Sequence, residues 1–287
     1  MCCGDRSVRR TLGKYAGLLY KSRRCQIPTE RSGLLLRAKK QAEQIATSTY
    51  PEFSSSLFFH VGNGLDQLER YEEALASYDK AIEVKPDFHT AWNNRGVALN
   101  DLGRFEEAIA SYDKAIELKP DYHQAWNNRG SDLRNLERFE EAIASCDKAI
   151  EVKPDFYGAW NNRGAALDDL GRFEEAIASY DKALEFKPDF YGAWYNRGIV
   201  LARSGRYEEA LASCDKALEL QPNDESGYYG KACCYALQGD VDLAIENLQQ
   251  AINLNPSRCR SEAKRNSDFD SIREDERFQA LLQGQTN

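Results

Sequence analysis

The sequence predicts an all-α protein, a solenoid of six stacked helix pairs that ends in a capping helix. A hexapeptide recurs every 34 residues, as AWNNRG at 91–96, 125–130 and 159–164 and as AWYNRG at 193–198. The copies are closely alike, since 27 of 34 positions are identical between 91–124 and 159–192. A fixed period of this length is typical of stacked supersecondary units and not of one globular core.

Each period is predicted to form two helices, as residues 89–122 illustrate. In the first helix Trp92, Gly96 and Leu99 recur at the spacing of one helical face. The second helix is predicted from Phe105 to Leu118, with Ala108, Tyr112 and Ala115 on its inner face. Pro120 follows it and cannot continue a helix. We expect the small residues to permit close helix approach, while Trp92 and Tyr112 fill the space between helices.

The order W-x3-G-x2-L-x3-G-x4-A-x3-Y-x2-A-x4-P within these periods resembles the tetratricopeptide repeat. The resemblance implies a right-handed superhelical α-solenoid of helix-turn-helix units, with the first helix of each unit lining a concave groove. The six repeats are assigned to 55–88, 89–122, 123–156, 157–190, 191–224 and 225–258. The outer two are degraded, because Phe58 and Tyr228 replace the tryptophan, and Glu69 and Glu137 replace the turn glycine of repeats one and three.

The two ends of the chain depart from the repeat. Residues 1–54 form a basic region, predicted to be partly disordered, with a helix expected near 30–49. Residues 259–287 are predicted to be a capping segment and tail, because Phe269, Ile272, Phe278, Leu281 and Leu282 lie within otherwise charged sequence. A terminal repeat needs such a cover for its exposed apolar surface. Asp275 is the expected N-cap of the last helix.

The charge distribution limits the partners that the repeats could bind. Residues 1–50 carry 11 Lys or Arg and 3 Asp or Glu, so the rest of the chain has a net charge of -16. An acidic stack repels phosphates, so nucleic acid is not expected at the repeats. No stretch is long enough to span a bilayer, and the eight cysteines contain no CxxC pair. This arrangement indicates that the cysteines are reduced thiols and predicts that the protein is cytoplasmic.

One polar stripe of the first helices is expected to face the groove. With tryptophan as position 4, position 6 is asparagine in the central repeats: Asn94, Asn128, Asn162 and Asn196. An amide can pair with both the N–H and the C=O of an extended peptide. The pattern looks like the asparagine ladder in the TPR domain of O-linked N-acetylglucosamine transferases, which holds polypeptide by its backbone. The alternative is a solvated or helix-capping asparagine copied by repeat duplication.

The rest of the stripe changes character along the chain. Position 5 and position 9 add further candidate partner-binding residues: Asn93, Asn127, Asn161, Tyr195, Tyr229 and Ile199. The groove is therefore predicted to be polar in its middle and apolar toward the C-terminus. An apolar anchor of a partner, the capping segment or a second protomer could cover that end. The arginines at position 7 are expected to pair with the aspartates at position 25.

The sequence predicts a binding protein and not an enzyme. No HExxH, P-loop, GxSxG or zinc-ligand spacing is present, and no cofactor is expected. The main hypothesis is a non-catalytic scaffold that binds a peptide or protein in the groove through the asparagines. A self-associating structural module, as a homo-oligomer, is the second. A regulatory or substrate-recognition subunit of an enzyme on another chain is the third.

Overall fold

The computed structural model describes residues 51–284 and 33–38, together with Leu18, Lys21, Glu30 and Lys40. Its helices from residue 51 onward are α1 (Pro51–Asp66), α2 (Tyr71–Val84), α3 (His89–Asp101), α4 (Phe105–Leu118), α5 (His123–Asn135), α6 (Phe139–Val152), α7 (Tyr157–Asp169), α8 (Phe173–Phe186), α9 (Tyr191–Arg203), α10 (Tyr207–Leu220), α11 (Ser226–Gln238), α12 (Val241–Leu254), α13 (Pro256–Ala263) and α14 (Glu276–Gln283). A 3-10 helix, Ser267–Ile272, lies between the last two. The part of the chain that is described contains no strand, which confirms the all-α prediction.

The helix boundaries follow the predicted period closely. The second helix of the 89–122 repeat runs from Phe105 to Leu118 as expected, and its equivalents begin and end at the same repeat positions. Helix α1 begins at Pro51, four residues before the boundary assigned to the first repeat. Positions 30, 33–38 and 40 are helical, and the remainder of the helix expected near 30–49 lies outside the described residues.

Successive helices pack in the manner of a tetratricopeptide solenoid. Within the chain up to Arg138, α1 packs on α2, α2 on α3, α3 on α4 and α4 on α5, while α1, α3 and α5 also touch in sequence. From Phe139 onward the same order holds for α6 through α12, again with the first helices α7, α9 and α11 in contact. The chain thus divides into two compact units, Met1–Arg138 and Phe139–Asn287.

A small residue opposite a large one sets the distance between the two helices of a pair. A Cβ atom added to Gly164 would lie 2.8 Å from the ring of Tyr180, so only glycine fits there. The same contact joins Gly96 to Tyr112 and Gly62 to Tyr78. Tyr78, Tyr112 and Tyr180 are among the largest fully buried side chains of the described residues. Glycine at this position is therefore required by the buried tyrosine ring that covers it.

The repeat tryptophans are half-buried, and Trp92, Trp160 and Trp194 pack against buried clusters as expected. Each indole also reaches the loop that precedes its own helix. Trp92 Nε1 donates a hydrogen bond to the carbonyl oxygen of Pro86 at 2.9 Å, and the same bond recurs in the next three repeats. The indole has one N–H donor, and this geometry satisfies it. The tryptophan therefore fixes the loop between repeats.

Within residues 51–284 and the other described positions, every helix is too short or too polar to span a membrane.

The C-terminal segment forms the predicted cap. Helix α13 packs on α12, the 3-10 helix packs on α11, and α14 contacts both α12 and α13. Asp275 is the N-cap of α14, as predicted, and its side chain accepts a hydrogen bond from the backbone N–H of Arg277.

Candidate functional site

The asparagines at positions 5 and 6 form hydrogen bonds between neighbouring first helices. We call the surface that carries them the first-helix face; it comprises positions 5, 6, 9, 12 and 13 of the repeats. Asn94 Nδ2 donates to Asn63 Oδ1 at 2.9 Å. Asn128 Nδ2 donates to Asn93 Oδ1, and Asn196 Nδ2 donates to Asn161 Oδ1, both at 3.2 Å. The sequence analysis missed these hydrogen bonds. The signal in the sequence is that the two asparagines of the last two bonds are each 35 residues apart, one more than the repeat period.

A second set of bonds joins the two asparagines within a repeat. Asn93 Nδ2 donates to Asn94 Oδ1 at 3.1 Å, and the bonds from Asn127 to Asn128 and from Asn161 to Asn162 are 3.4 Å long. An amide offers two donor hydrogens and two acceptor lone pairs. In Asn94 and Asn128 these bonds use one N–H and one lone pair, and both side chains are half-buried.

The position 5 asparagines are not equally exposed. Asn93 is only 5% exposed, whereas Asn127 and Asn161 are half-buried. Tyr78 also reaches this layer, since its hydroxyl donates to Asn63 Oδ1 at 2.8 Å. Asn93 therefore lies beneath the surface as an anchor for Asn128, while the position 6 amides lie nearer to solvent.

The apolar C-terminal part of the first-helix face is covered by the chain itself. Tyr229 is 4% exposed and Ile199 is 8% exposed, and both belong to a buried cluster with Phe269 and Ile272 of the 3-10 helix. Tyr195 packs against the same cluster. Of the three coverings considered from the sequence, the capping segment occupies this position in the structure.

Specific contacts hold the 3-10 helix on α11. The rings of Tyr229 and Phe269 meet edge to face with centroids 5.6 Å apart. Asn266 Nδ2 donates to the hydroxyl of Tyr229 at 3.3 Å, and Ser271 Oγ donates to the carbonyl oxygen of Ala236 at 2.8 Å. Burial raises the pKa of the Tyr229 hydroxyl above its usual range. This part of the face thus binds a short polypeptide through both aromatic and backbone contacts.

One arginine connects the cap to the repeats. Arg203 Nη1 donates to Asp168 Oδ2 at 2.8 Å, and its Nε and Nη2 donate to the two carboxylate oxygens of Asp268 at 3.0 and 3.1 Å. The Asp268 side chain is 5% exposed. Burial raises the pKa of Asp168, and the Arg203 charge and hydrogen bond oppose that shift. The sequence analysis did not single out these two residues, because Arg203 does not recur at its repeat position and Asp268 lies outside the repeats.

The position 7 arginines pair with the position 25 aspartates of the preceding repeat, as predicted. The Nε···Oδ1 distance is 2.7 Å in every case: Arg95–Asp79, Arg129–Asp113, Arg163–Asp147 and Arg197–Asp181. Lys231 takes the same place opposite Asp215. Arg95, Arg163 and Arg197 also donate through Nη1 to a serine hydroxyl of the second helix in their own repeat. The arginines therefore serve to join consecutive repeats.

The residues from 51 to 284 and the other described positions contain no group of three His, Cys, Asp or Glu side chains that could hold a metal ion. Cys146 and Cys214 occupy the repeat position that is tyrosine in Tyr78, Tyr112 and Tyr180, and both are fully buried. Burial raises the pKa of the Cys146 thiol to about 12. Both residues are therefore packing groups.

Comparisons with known proteins agree with this arrangement. Two models of the tetratricopeptide repeat match the chain, the first over 62–123 and the second over 123–156, 157–190, 191–224 and 226–258. No curated protein matches the chain.

Several solved structures are similar to the chain. PilW, a widely conserved type IV pilus biogenesis factor, is 22% identical with a TM-score of 0.64, over 76% of this chain and 97% of that one. Pseudomonas aeruginosa pilF is 18% identical with a TM-score of 0.63, over 77% and 97%. YrrB, a TPR protein with an unusual peptide-binding site, is 26% identical with a TM-score of 0.49, over 66% and 98%. The first two likenesses show the fold alone.

Proposed function

This chain belongs to the tetratricopeptide repeat family, whose repeats support a protein-interaction scaffold, and from that premise we propose a specific mode of binding. In this proposal the first-helix face holds an extended segment of a partner protein. The position 6 asparagines pair with the backbone of that segment. Tetratricopeptide repeats are in general non-catalytic, and the proposal assigns no reaction to this chain.

The observation that carries the proposal is the pair of half-buried position 6 amides, Asn94 and Asn128, whose hydrogen-bonding capacity is only partly used. Each position 6 amide of Asn94 and Asn128 is held by its neighbours through one N–H and one lone pair. A second N–H and a second lone pair remain on Asn128, and a second lone pair remains on Asn94, whose amide also forms a hydrogen bond with Tyr78. An extended peptide offers both backbone N–H and C=O groups. Held amides lose less conformational entropy on binding than free ones, which favours affinity.

The C-terminal cap supports the idea that first helices of this chain accept polypeptide. The 3-10 helix lies on α11 and contacts it through Phe269, Asn266 and Ser271. The partner segment is proposed to lie on the polar first helices before it. Because Tyr229 and Ile199 are buried under the cap, the proposal relies on the asparagines and on no apolar anchor at those two residues.

The test is affinity capture from a lysate of the source cell with the triple variant Asn94→Ala, Asn128→Ala and Asn162→Ala, read by mass spectrometry. The expected result is that a protein retained by the parent is lost from the triple variant. The matched control is Gln250→Ala, which removes an exposed amide from the second helix α12 and leaves the asparagines of the first helices in place. Capture by the control should resemble the parent. Equal capture by the triple variant and the parent would reject the asparagine mechanism.

Self-association was the alternative of a different class, through the apolar C-terminal end of the groove or through the end cap. The apolar end is occupied by the cap of the same chain. The structure therefore offers no specific observation in favour of a homo-oligomer through these residues. Sedimentation of the full chain at tens of micromolar distinguishes the two proposals, because the binding scaffold requires no dimer.

A further inference from the structure

Three aspartates of the first helices α1, α3 and α5 interact electrostatically and form no ion pair with a cation among the described residues. Asp66 lies at the end of α1, Asp101 at the end of α3, and Asp132 within α5. Asp132 is 1% exposed, and its Oδ1 accepts a hydrogen bond from Asn100 Nδ2. The Oδ2 atom of Asp132 and the Oδ1 atom of Asp66 are buried and form no hydrogen bond. A buried carboxylate oxygen without a partner is costly, and Asp168 Oδ1, beside Arg203, is a third such atom. These oxygens therefore retain acceptor capacity for a hydrogen-bond donor.

Burial raises the pKa of each of the three carboxyl groups, and the charge of Asp101 adds to the shift in the other two. Burial raises the pKa of Asp66, and the Asp101 charge adds to this. Burial also raises the pKa of Asp101. Burial raises the pKa of Asp132 to about 7, the Asn100 hydrogen bond opposes the shift, and Asp101 adds to it. No lysine or arginine contributes to any of these shifts.

The second unit contains the same pair of repeat positions with a cation present. Asp66 is position 12 of its repeat and Asp101 is position 13 of the next, 35 residues later. Asp168 and Arg203 occupy the corresponding positions, also 35 residues apart, and they form an ion pair at 2.8 Å. The stacking of repeats therefore brings position 12 of one repeat within ion-pairing distance of position 13 of the next. Where repeats four and five have carboxylate and guanidinium, repeats one and two have two carboxylates.

We propose that Asp66, Asp101 and Asp132 form the binding site for an arginine side chain of the partner. The site rests on the proposed function, because the arginine belongs to the extended segment that the asparagines hold. Asp101 is the exposed member and Asp66 is half-buried, so the guanidinium enters from the side of Asp101 and bridges these two carboxylates. Asp132 lies beneath and supplies negative charge to the site.

Arginine fits this site better than a point cation. In the equivalent place the one guanidinium of Arg203 donates to both Asp168 and Asp268, which uses its fork of N–H groups. A lysine ammonium lacks this bidentate geometry. The three carboxylates are also not among groups that could hold a metal ion in the described part of the chain. Asn94 and Asn128 lie on the same helices as Asp101 and Asp132, so one extended segment can reach both features.

The first experiment measures binding of a small probe, N-acetyl-arginine methylamide, to the full chain by NMR titration. The expected result is a saturable shift at α1 and α3 that weakens about tenfold or more in Asp66→Asn and in Asp101→Asn. The citrulline analogue, which has the same shape without the charge, should not bind. Glu106→Gln, an exposed acid of α4, is the control for net charge and should bind as the parent does. A lack of saturation, or equal binding by citrulline or by both Asp variants, overturns the proposal.

The pH dependence adds a second readout. Because an ionised Asp132 attracts the guanidinium, affinity should rise as the pH increases from 6 to 8, through its pKa of about 7. In Asp132→Ala this dependence should disappear. A pH dependence that persists in Asp132→Ala would show that Asp132 is not part of the site.

The second experiment supplies the arginine within the chain. Asp101→Arg places a guanidinium at the position that Arg203 occupies opposite Asp168, so it should raise the melting temperature above that of Asp101→Asn and abolish probe binding. If the melting temperature of Asp101→Arg lies below that of Asp101→Asn, position 101 does not place a guanidinium opposite Asp66 as Arg203 lies opposite Asp168, and the proposal is overturned. The outcomes separate the two proposals, since the asparagine variants test capture of a partner. If the asparagine triple variant still captures the partner and the arginine probe still binds the parent chain, only the asparagine mechanism is rejected.

Discussion

At the scale of single residues, position in the repeat decides whether a polar side chain stabilises the chain. The asparagines of positions 5 and 6 bond to one another across repeats, and the arginines of position 7 pair with aspartate. Asp132 departs from this order, because it occupies position 10, where Ala98 and Ala166 lie in the neighbouring repeats. Both alanines are fully buried. A buried carboxylate at this position is therefore expected to lower the free energy of unfolding.

We predict that Asp132→Ala stabilises the protein, and more at pH 8 than at pH 5. The folded carboxyl has a pKa of about 7 against an ordinary value of 3.8. The folded state therefore binds the proton more tightly, and its stability falls as the pH rises from about 4 to 7, where the loss is complete. Removing the group should recover on the order of 2–4 kcal/mol at pH 8. Urea denaturation at the two pH values measures this.

The control for that prediction is Asp121→Ala, an exposed loop acid, whose effect should be small and flat with pH. A stability gain for Asp132→Ala that is the same at both pH values would contradict the assigned pKa. A loss at both values would mean that the Asn100 hydrogen bond outweighs the cost of burial.

At the scale of helices and turns, the turn between the two helices of a repeat requires a positive φ. Gly103 has φ 73° and Gly171 has φ 71°, while Glu69 and Glu137 adopt 58° and 59° at the same place. A non-glycine residue in this region carries strain of roughly 1–2 kcal/mol. The sequence analysis identified these glutamates as departures from the repeat, and the structure shows that the turn keeps its shape.

We predict that Glu69→Gly stabilises the first repeat by about 0.5–1 kcal/mol, since relief of strain exceeds the added flexibility of the unfolded chain. The reciprocal change, Gly171→Glu, should destabilise by a similar amount. Chemical denaturation followed by circular dichroism measures both. A destabilising effect of Glu69→Gly would show that the glutamate side chain has favourable contacts that exceed the strain.

The cap is an element whose packing depends on one aromatic side chain. Phe269 is 0% exposed and contacts both Tyr229 and Phe278. We predict that Phe269→Ala costs about 3–5 kcal/mol, because it leaves a cavity in the cluster. Protease cleavage between residues 259 and 284 should accelerate. Leu254→Ala is the control, since Leu254 is 42% exposed and should have little effect. Unchanged cleavage would mean that the cap does not depend on this ring.

At the scale of the whole molecule, the chain consists of two compact units, and in each one helices touch mainly their neighbours in sequence. Stability in such arrays is a sum of repeat and nearest-neighbour contributions, so cooperativity over the full length is limited. Sequence features that differ along the chain, such as the degraded outer repeats and the cap, then produce differences in local stability.

We predict that unfolding in urea is not a single two-state transition. The four tryptophans lie in repeats two to five, whereas helical circular dichroism also reports the outer repeats and the cap. The tryptophan fluorescence midpoint should therefore lie at higher urea than the circular dichroism midpoint. Coincident curves, with a slope appropriate to the full length, would contradict this and indicate one cooperative unit.

The sequence by itself determined the period, the helix boundaries of the central repeats and the pairing of Arg95 with Asp79. These features depend on local patterns copied from repeat to repeat, and local patterns fix helices and their adjacent contacts. Only the tertiary structure decided that Asn128 bonds to Asn93, that Phe269 covers Tyr229, and that Asp66 and Asp132 both lie close enough to Asp101 to interact with its charge. Each joins residues more than 30 positions apart, and two of the three use residues that do not recur. Their meeting depends on how helices stack and how the cap turns back, which no single repeat encodes.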